Sequence, residues 1–279
     1  MSVADRVAAA LACAALDRDL RAVVLVDLDP VLLPPLGRWL AALRQPRRPA
    51  EPMLVAAGGR DRLWTELVPS RDPRRPGPRL VPGALIEPAH RADRVFLVPD
   101  LARAGRPVLH AMVMTLGAEE AHLERDGLTR RWRPEARWLA CCRRDDLERV
   151  SAHLLDRFAL RVNAAGLHRT AGPATAQVLP PPSAIVRAAV RRGVPALATG
   201  ALLRAVAARP ADGRAGHRAD LALVRTAAAL AALAGRPAAG PALFGRAAEL
   251  VGVGGTGGTE GGGVWATGPA PAPAPAAGA

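Results

Sequence analysis

Few side chains in this 279-residue chain have the types and spacing that catalysis or metal binding requires. Its six histidines form neither an HExxH motif nor a close pair at metal-ligand spacing, so we expect no zinc site. Cys13 and the adjacent Cys141 and Cys142 make no CxxC pair and no disulfide framework, which fits a reducing compartment. Cys141 and Cys142 fall on an apolar run, where we expect buried, inert thiols.

Arginine supplies all 38 basic side chains, because the sequence contains no lysine. Chemistry that requires lysine, including a P-loop lysine on a nucleotide phosphate and Schiff-base formation, is therefore excluded. The formal charge of +13 accompanies a composition rich in alanine, glycine, proline and arginine, which indicates a GC-rich genome. The arginine-rich stretch 71–79 lacks interleaved aromatic residues, so we expect a solvated loop or a subunit contact there and no nucleic-acid partner.

Short apolar runs alternate with helical patterns through the first part of the chain. The runs predict buried strands at 20–28, 53–57, 94–98, 137–142 and 161–164. This alternation is typical of an α/β protein whose parallel sheet carries helices on both faces. An Asp-Gly turn signal also predicts a hairpin over 122–133, and the proline and arginine content predicts an irregular loop over 69–83.

The chain divides into three segments, with a first boundary at the prolines 180–182. We expect the α/β domain over 1–179 and a helical domain of three or four helices over 180–251. The predicted helix breaks are Gly200, Gly216, Gly235 and Gly240. Residues 252–279 are rich in glycine and then in proline and alanine, which indicates a flexible linker. A linker at this place indicates that the chain is a fragment or that a following domain is missing.

The first helix has the character of a structural element. Asp5 precedes its apolar run and Asp17 and Asp19 follow it, a pattern that argues against a signal peptide. No uncharged run of strongly hydrophobic residues reaches the roughly 18 residues that a membrane span needs. We therefore expect a cytoplasmic protein without a membrane span.

Four stretches resemble the magnesium chelatase branch of the ring-forming P-loop ATPases known as AAA+ proteins. They are PGALIEPAHRADRVFLVPDL, ERDGLTRRWRPEARWLACC, SAHLLDRFALRV and GHRADLALVRTAAALAALAGR. The resemblance extends over about residues 20–252, and LLDRF and HRADL are its most specific parts. It implies a P-loop-NTPase (AAA+)-like parallel sheet with helices on both faces, followed by a small helical lid domain.

Within this resemblance the nucleotide site is degenerate. A gapless match to the family's first strand and helix puts the phosphate-cradling glycines on Asp27 and Pro30, the lysine on Leu33 and the Mg-binding hydroxyl on Pro34. A phosphate loop turns backbone N–H groups around a lysine, whereas proline has no N–H and aspartate repels phosphate. The resemblance therefore implies that this chain binds no cofactor, and that ATP and Mg²⁺ belong to a partner subunit.

The second motif of the family is also altered. Its Asp-Glu pair, which holds Mg²⁺ and polarises water, is replaced by Pro99-Asp100, so the metal-holding carboxylate is lost. Asp100 is either a relic of that site or a helix N-cap. The polar sensor that the family has after its fourth strand falls on Arg143 or Arg144.

Two arginines keep the positions of functional arginines in the family. Arg157, in LLDRF, lies at the arginine finger, which acts in trans on the nucleotide of a neighbouring subunit. Arg218, in HRADL, lies at the sensor-2 arginine of the lid, with Arg225 as a second candidate. The structural alternatives are ion pairs, of Arg157 with Asp156 and of Arg218 with Asp220 or Asp212.

The D subunits of the family combine a degenerate ATPase-like module with a proline-rich linker and an integrin-like domain. The resemblance implies a non-hydrolysing platform of this kind, without ATPase activity of its own. Its partners are an active AAA+ ATPase subunit, the I subunit, in a hetero-oligomeric ring, and a large porphyrin-binding subunit. The complex inserts Mg²⁺ into protoporphyrin IX in chlorophyll or bacteriochlorophyll synthesis. The alternatives are the equivalent subunit of a cobaltochelatase and a stand-alone MoxR-like pseudo-ATPase interaction scaffold.

Overall fold

A computed structural model of the chain gives the positions of the strands and of the helices that surround them. The described residues are 1–45, 51–55, 63–70, 74, 77–86, 94–125, 127–168, 178–194 and 217–252. Their strands are β1 (Ala22–Val26), β2 (Met53–Leu54), β3 (Thr65–Pro69), β4 (Pro78–Pro82), β5 (Val95–Val98), β6 (Ala121–Arg125), β7 (Leu128–Trp132), β8 (Arg137–Cys142) and β9 (Leu160–Asn163). Their α-helices are α1 (Val3–Leu16), α2 (Leu33–Arg44), α3 (Arg106–Thr115), α4 (Ala152–Leu155), α5 (Ala184–Arg192), α6 (His217–Leu233) and α7 (Pro241–Val251).

Five parallel strands form the central sheet, in the order β2-β5-β8-β1-β9. β1 lies between β8 and β9, so that Val24 is opposite Ala140 on one side and Arg161 on the other. β1, β5 and β8 are buried at every position, because other elements cover both faces of the sheet. The prediction of an α/β protein with a parallel sheet flanked by helices is confirmed.

Successive side chains of each strand enter two different apolar clusters, one on each face of the sheet. Val23 and Leu25 of β1 join the cluster formed with α1, α2 and the C-terminal helices α5, α6 and α7. Val24 and Val26 join the cluster formed with α3 and with parts of both hairpins. The side chains on both faces of β1 are therefore buried in the core, and groups that could bind a ligand can lie only at the ends of this strand.

One segment that was predicted to be irregular, residues 69–83, contributes a strand. β4 pairs antiparallel with β3, and Leu67 lies opposite Leu80. The prolines of both strands lie at the ends of the ladder, where a missing N–H costs little. The prediction was wrong because proline content is a local signal, whereas this strand exists through pairing with a partner earlier in the chain.

The other edge elements agree better with the sequence. β6 and β7 pair antiparallel next to Gly127, whose φ is 75°, and this confirms the hairpin predicted from the Asp-Gly signal. The strand predicted at 53–57 is short, since β2 has two residues, and both are exposed at the edge of the sheet. Residues 56 and 57 of that prediction lie outside the described residues.

The C-terminal helices pack against α1 and β9 and share their apolar cluster. The predicted breaks at Gly235 and Gly240 are confirmed, since α6 ends at Leu233 and α7 begins at Pro241. Gly200, Gly216 and linker residues 253–279 lie outside the described residues. Among the helices that are described, none combines the length and the apolarity needed to cross a bilayer.

Candidate functional site

The carboxyl ends of β1, β5 and β8 meet at one edge of the sheet, the edge at which open α/β sheets bind ligands. Asp27 follows β1 directly, Asp100 lies two residues after β5, and Arg144 lies two residues after β8. The Asp27 N–H donates to the carbonyl of Cys142 at 3.0 Å and so continues the ladder between β1 and β8. The positions that the sequence assigned to a degenerate nucleotide site therefore lie beside one another.

Asp27 and Arg144 form an ion pair at this edge. Oδ1 of Asp27 accepts from the backbone N–H of Arg144 at 2.8 Å, and Oδ2 lies 3.3 Å from Nε of the same residue. Both side chains are partly exposed, so water screens the charge attraction while the backbone contact fixes its geometry. The pair connects the end of β1 to the end of β8. The resemblance places the start of a phosphate loop at this position.

The segment after Asp27 has few N–H groups that could face a phosphate. Its prolines, which have no N–H, are Pro30, Pro34 and Pro35. The carboxylate of Asp29 accepts from the N–H of Val31 at 3.0 Å, and the Asp29 carbonyl accepts from the N–H of Leu32 at 2.9 Å. The N–H of Leu33 donates to the carbonyl of Pro30. These donors are used inside a 3-10 turn and are not arranged as an anion cradle.

Leu33, which the resemblance aligns with the lysine of the phosphate loop, has a packing role in this structure. Leu33 begins α2 and is completely buried in the apolar cluster of α1 and α2. Pro34, at the position of the Mg-binding hydroxyl, is half-buried in the first turn of the same helix. Proline is well tolerated there, because the first turn has no intrahelical acceptors for its N–H groups. The start of α2 is therefore built for packing.

Asp100 caps a turn, which corrects the expectation of a helix N-cap. Its Oδ1 accepts from the backbone N–H of Arg103 at 3.2 Å, and its Oδ2 lies 3.6 Å from Nε of Arg103. The following helix, α3, begins later, at Arg106, with Gly105 as its N-cap residue. The Asp100 carboxylate is thus occupied by its own loop.

Two thiols beneath this edge, those of Cys141 and Cys142, have raised pKa values. Burial raises the pKa of the Cys142 thiol from 9.0 to about 11, and nearby aspartate carboxylates contribute to the rise. Those carboxylates belong to Asp100, Asp146 and Asp27. Burial likewise raises the pKa of Cys141 to about 12. The charges of Cys142 and of two aspartates contribute smaller increases to this pKa. Burial and these carboxylates together keep both thiols protonated at neutral pH.

Arg157 lies against the C-terminal end of α3. Its Nη1 donates to the carbonyl of Leu116 at 2.7 Å, and its Nε is buried without a hydrogen-bond partner. Arg21 contacts the same helix end, with its Nη2 donating to the Thr115 carbonyl at 2.7 Å, and Arg18 donates to the carbonyl of Ala118 in the loop that follows. Arg157 and Arg21 satisfy carbonyls that have no partner within the helix. In this structure, therefore, Arg157 takes part in a helix cap.

Arg218 and Arg225 connect α6 to two other parts of the chain. Nη1 of Arg218 lies 3.2 Å from Oδ2 of Asp156, and both side chains are about half exposed. Arg225 contacts Asp17, which is buried, at 3.3 Å and Asp19 at 2.7 Å. The first pair joins α6 to the turn after α4, and the second joins it to the end of α1.

The sequence did not identify these pairings. Asp156 was proposed as a partner of Arg157, but its carboxylate pairs with Arg218. Of the partners proposed for Arg218, Asp220 is not the one that it contacts, and Asp212 lies outside the described residues. The Asp27–Arg144 pair was also missed, although opposite charges directly after strands that were both predicted were an available signal.

A second concave feature lies between α3 and β6, on the face of the sheet that carries the hairpins. It is an open cleft of about 430 Å³, and its walls include Trp64, His110 and Met114. The ring centroid of Trp64 lies 6.1 Å from that of His110 and 6.2 Å from that of Trp132. Arg106 and Glu124 contribute charged groups to its lining. The lining of the cleft thus mixes aromatic and aliphatic side chains with charged ones.

In the described parts of the chain, no group of three or more histidine, cysteine or acidic side chains is placed to hold a metal ion. A scan of the whole chain against protein-family models gave no match. A search of curated proteins gave no match either. The geometry of the sheet edge and the contacts of the arginines are therefore the basis for a functional proposal.

Proposed function

We propose that this chain is a non-hydrolysing AAA+-like platform subunit of a magnesium chelatase. In this role it assembles into a ring with an active ATPase subunit that carries ATP and Mg²⁺. It transmits the conformational change of that subunit to a large porphyrin-binding subunit, where Mg²⁺ enters protoporphyrin IX. The chelatase assignment rests on the resemblance of the LLDRF and HRADL strings. The observation that supports a non-hydrolysing subunit is the sheet edge after β1, where the donors of a phosphate loop are absent or used internally.

The parallel sheet supports the fold that the resemblance implies. β8 lies between β1 and β5, so the strands that precede Asp27, Asp100 and Arg144 are adjacent in the sheet. The LLDRF string falls on α4 and the turn after it, and HRADL lies on α6. The resemblance implies a lid helix for HRADL, and this string is helical here.

The electrostatics of the edge support a subunit without its own nucleotide. A nucleotide phosphate needs inward N–H groups and a cation, and the edge offers Asp27, Asp29 and Asp100. Of the arginines at this edge, Arg144 is paired with Asp27 and Arg103 with Asp100. Phosphate binding would require one of these pairs to break and would bring the anion close to the remaining carboxylates.

Arg157 is the residue through which we propose that the chain acts on its partner. Its present acceptor is the neutral carbonyl of Leu116. A phosphate oxygen of a partner's nucleotide is a stronger acceptor, because charge-assisted hydrogen bonds are roughly twice as strong as neutral ones. Arg157 should therefore exchange the Leu116 carbonyl for a phosphate oxygen when a ring interface brings the partner's nucleotide within its reach.

The test is ATP turnover by the cognate active ATPase subunit with and without this chain. We expect the chain alone to be inactive and to change the turnover of the partner. Arg157→Ala should reduce that effect about tenfold or more, since trans-acting arginines contribute strongly to phosphoryl transfer. Arg157→Lys keeps a donor for the Leu116 carbonyl but loses the guanidinium fork, so it should fold normally and show the same loss. Arg149→Ala is the matched control, because Arg149 is an exposed arginine that pairs with Asp146 at 3.1 Å.

Two outcomes would contradict the proposal. If the wild-type chain leaves the turnover of every chelatase-type ATPase subunit unchanged, the platform role is wrong. If the purified chain hydrolyses ATP by itself, the interpretation of the sheet edge is wrong.

Two other functions remain as alternatives. A cobaltochelatase subunit would use the same contacts, and metal insertion by the reconstituted complex with Mg²⁺ or Co²⁺ separates the two. A stand-alone interaction scaffold is favoured by the open cleft beside α3 and by the exposed side chains of Val113 and Met114 on that helix. The scaffold predicts no effect on any chelatase ATPase.

A further inference from the structure

We infer that Arg218 is a positioning residue for Arg157 and acts through its ion pair with Asp156. This inference rests on the proposed function and deepens it. The resemblance assigns Arg218 to nucleotide sensing, but the chain offers no phosphate cradle for it to sense. Its guanidinium instead contacts the carboxylate of the residue that directly precedes Arg157. The contact therefore gives α6 a direct connection to the backbone that carries Arg157.

The turn 155–158 is held from the body of the sheet on its other sides. Nη2 of Arg161, in β9, donates to the carbonyl of Leu155 at 2.7 Å, and Nε of Arg161 donates to the carbonyl of Phe158 at 3.3 Å. The Phe158 side chain is buried in the cluster that contains α3. The two ends of the turn are therefore fixed, and its middle residues, Asp156 and Arg157, point to different elements.

Asp156 and Arg157 connect the two sides of the turn. Asp156 contacts α6 through Arg218, and Arg157 contacts the end of α3 through the carbonyl of Leu116. A displacement of α6 would therefore move Asp156 through its contact with Arg218. Because Arg157 is the next residue in the chain, its backbone would move with Asp156. The buried Nε of Arg157, which has no partner, marks its present contact as incomplete.

The exposure of the Arg218–Asp156 pair indicates that its main role is to link α6 to the turn that carries Arg157, and not to stabilise the fold. Arg218 is 53% exposed and Asp156 is 41% exposed, so solvent screens their attraction and the pair adds little to the stability of the fold. Loss of the pair should therefore leave the chain folded. Its effect should appear in the action of Arg157 on a partner.

The experiment is a double-mutant cycle on the full chain, read out as its effect on ATP turnover by the cognate active ATPase subunit. Arg218→Ala and Asp156→Asn should each reduce the effect about two- to fivefold, the range for loss of a partly exposed ion pair. The double variant should be no worse than either single variant, because the two residues act through one contact. The charge reversal Asp156→Arg with Arg218→Asp should recover at least half of the wild-type effect.

Arg149→Ala is again the matched control, because Arg149 is an exposed arginine whose partner is a different carboxylate, that of Asp146 at 3.1 Å. It should lower the melting temperature as little as Arg218→Ala does and should leave the effect on partner turnover at the wild-type level. Additive losses at Asp156 and Arg218, or full activity of Arg218→Ala beside an inactive Arg157→Lys, would overturn this inference and leave the proposed function standing. An Arg157→Lys variant with full effect would overturn the proposed function and this inference with it.

Discussion

Asp27 combines a rare backbone conformation with a specific charge contact. Its φ of 57° lies in the left-handed region, which aspartate and asparagine tolerate better than most residues. In this conformation its carboxylate contacts both the backbone N–H and the guanidinium of Arg144. Conformation and charge therefore both favour aspartate at a position where the chelatase resemblance places a glycine.

Substitution of Asp27 separates these two effects. Asp27→Asn keeps tolerance of positive φ but loses the charge, and it should lower the free energy of unfolding by about 1 kcal/mol. Asp27→Ala also adds backbone strain and should cost about 2 kcal/mol. Urea unfolding at constant pH measures both values. Equal stability of the asparagine variant and the wild type would show that the charge attraction between Asp27 and Arg144 contributes nothing.

The buried thiols predict that the fold loses stability in alkali. Burial raises the pKa of Cys13 to about 12, as it does for Cys141, and that of Cys142 to about 11. Unfolded thiols ionise near 9.0, so above that pH the unfolded state binds fewer protons than the native state. The stabilising contribution is complete below pH 9.0 and is lost as the pH rises toward 11 and 12.

Denaturant unfolding between pH 8 and 11 is the measurement. Each thiol can contribute up to about 1.4 kcal/mol per pH unit in this window. A variant with Cys13→Ala, Cys141→Ala and Cys142→Ala is the control, since it lacks these groups and should show a flatter pH dependence. An identical slope in the two proteins would exclude the thiols as the cause.

At the scale of elements, α2 approaches the sheet closely at Gly37. A Cβ at this position would lie 2.7 Å from Cδ2 of Leu97 in β5 and 3.1 Å from Cβ of Pro52. Leu97 is itself buried, so it has little room to move away. The absence of a side chain therefore sets the distance between α2 and the strand that precedes Asp100.

Gly37→Ala should destabilise the fold by about 1–3 kcal/mol, although alanine is the better helix former. Gly245→Ala, in α7, is the matched control, because no atom lies within 4 Å of the added Cβ. That variant should be neutral or should stabilise the protein by up to about 1 kcal/mol. Thermal unfolding of both variants gives the comparison, and a stabilised Gly37→Ala would show that the close approach is not maintained in solution.

At the scale of the whole molecule, the proposed function predicts that nucleotide does not stabilise the isolated chain. A ligand that binds the native state raises the free energy of unfolding in proportion to ln(1 + [L]/Kd). Without a phosphate cradle, about 5 mM Mg-ATP should contribute less than about 0.4 kcal/mol, which leaves the melting temperature within about 1 °C. The active ATPase subunit serves as the positive control. A rise of several degrees for this chain would contradict the assignment of a silent site.

Much of the architecture follows from local signals. The apolar runs that become β1, β5, β8 and β9 are short and bounded by charged or turn residues, so periodicity alone identifies them. The Asp-Gly hairpin and the helix breaks at Gly235 and Gly240 are equally local. The β3–β4 hairpin was missed because its pairing is not a property of either strand alone. The functional roles of Arg157 and Arg218 stay predictions.

The sequence by itself determined what the edge after β1 cannot do. Three prolines and the absence of lysine remove N–H donors and a cation, and no tertiary arrangement restores groups that the chain does not contain. Only the tertiary structure decided which carboxylate each arginine meets. Arg144 and Asp27 are 117 residues apart in the chain, and Arg225 and Asp17 are 208 apart. Such partners are set by the packing of whole elements, because residues so far apart in the chain meet only when those elements have come together.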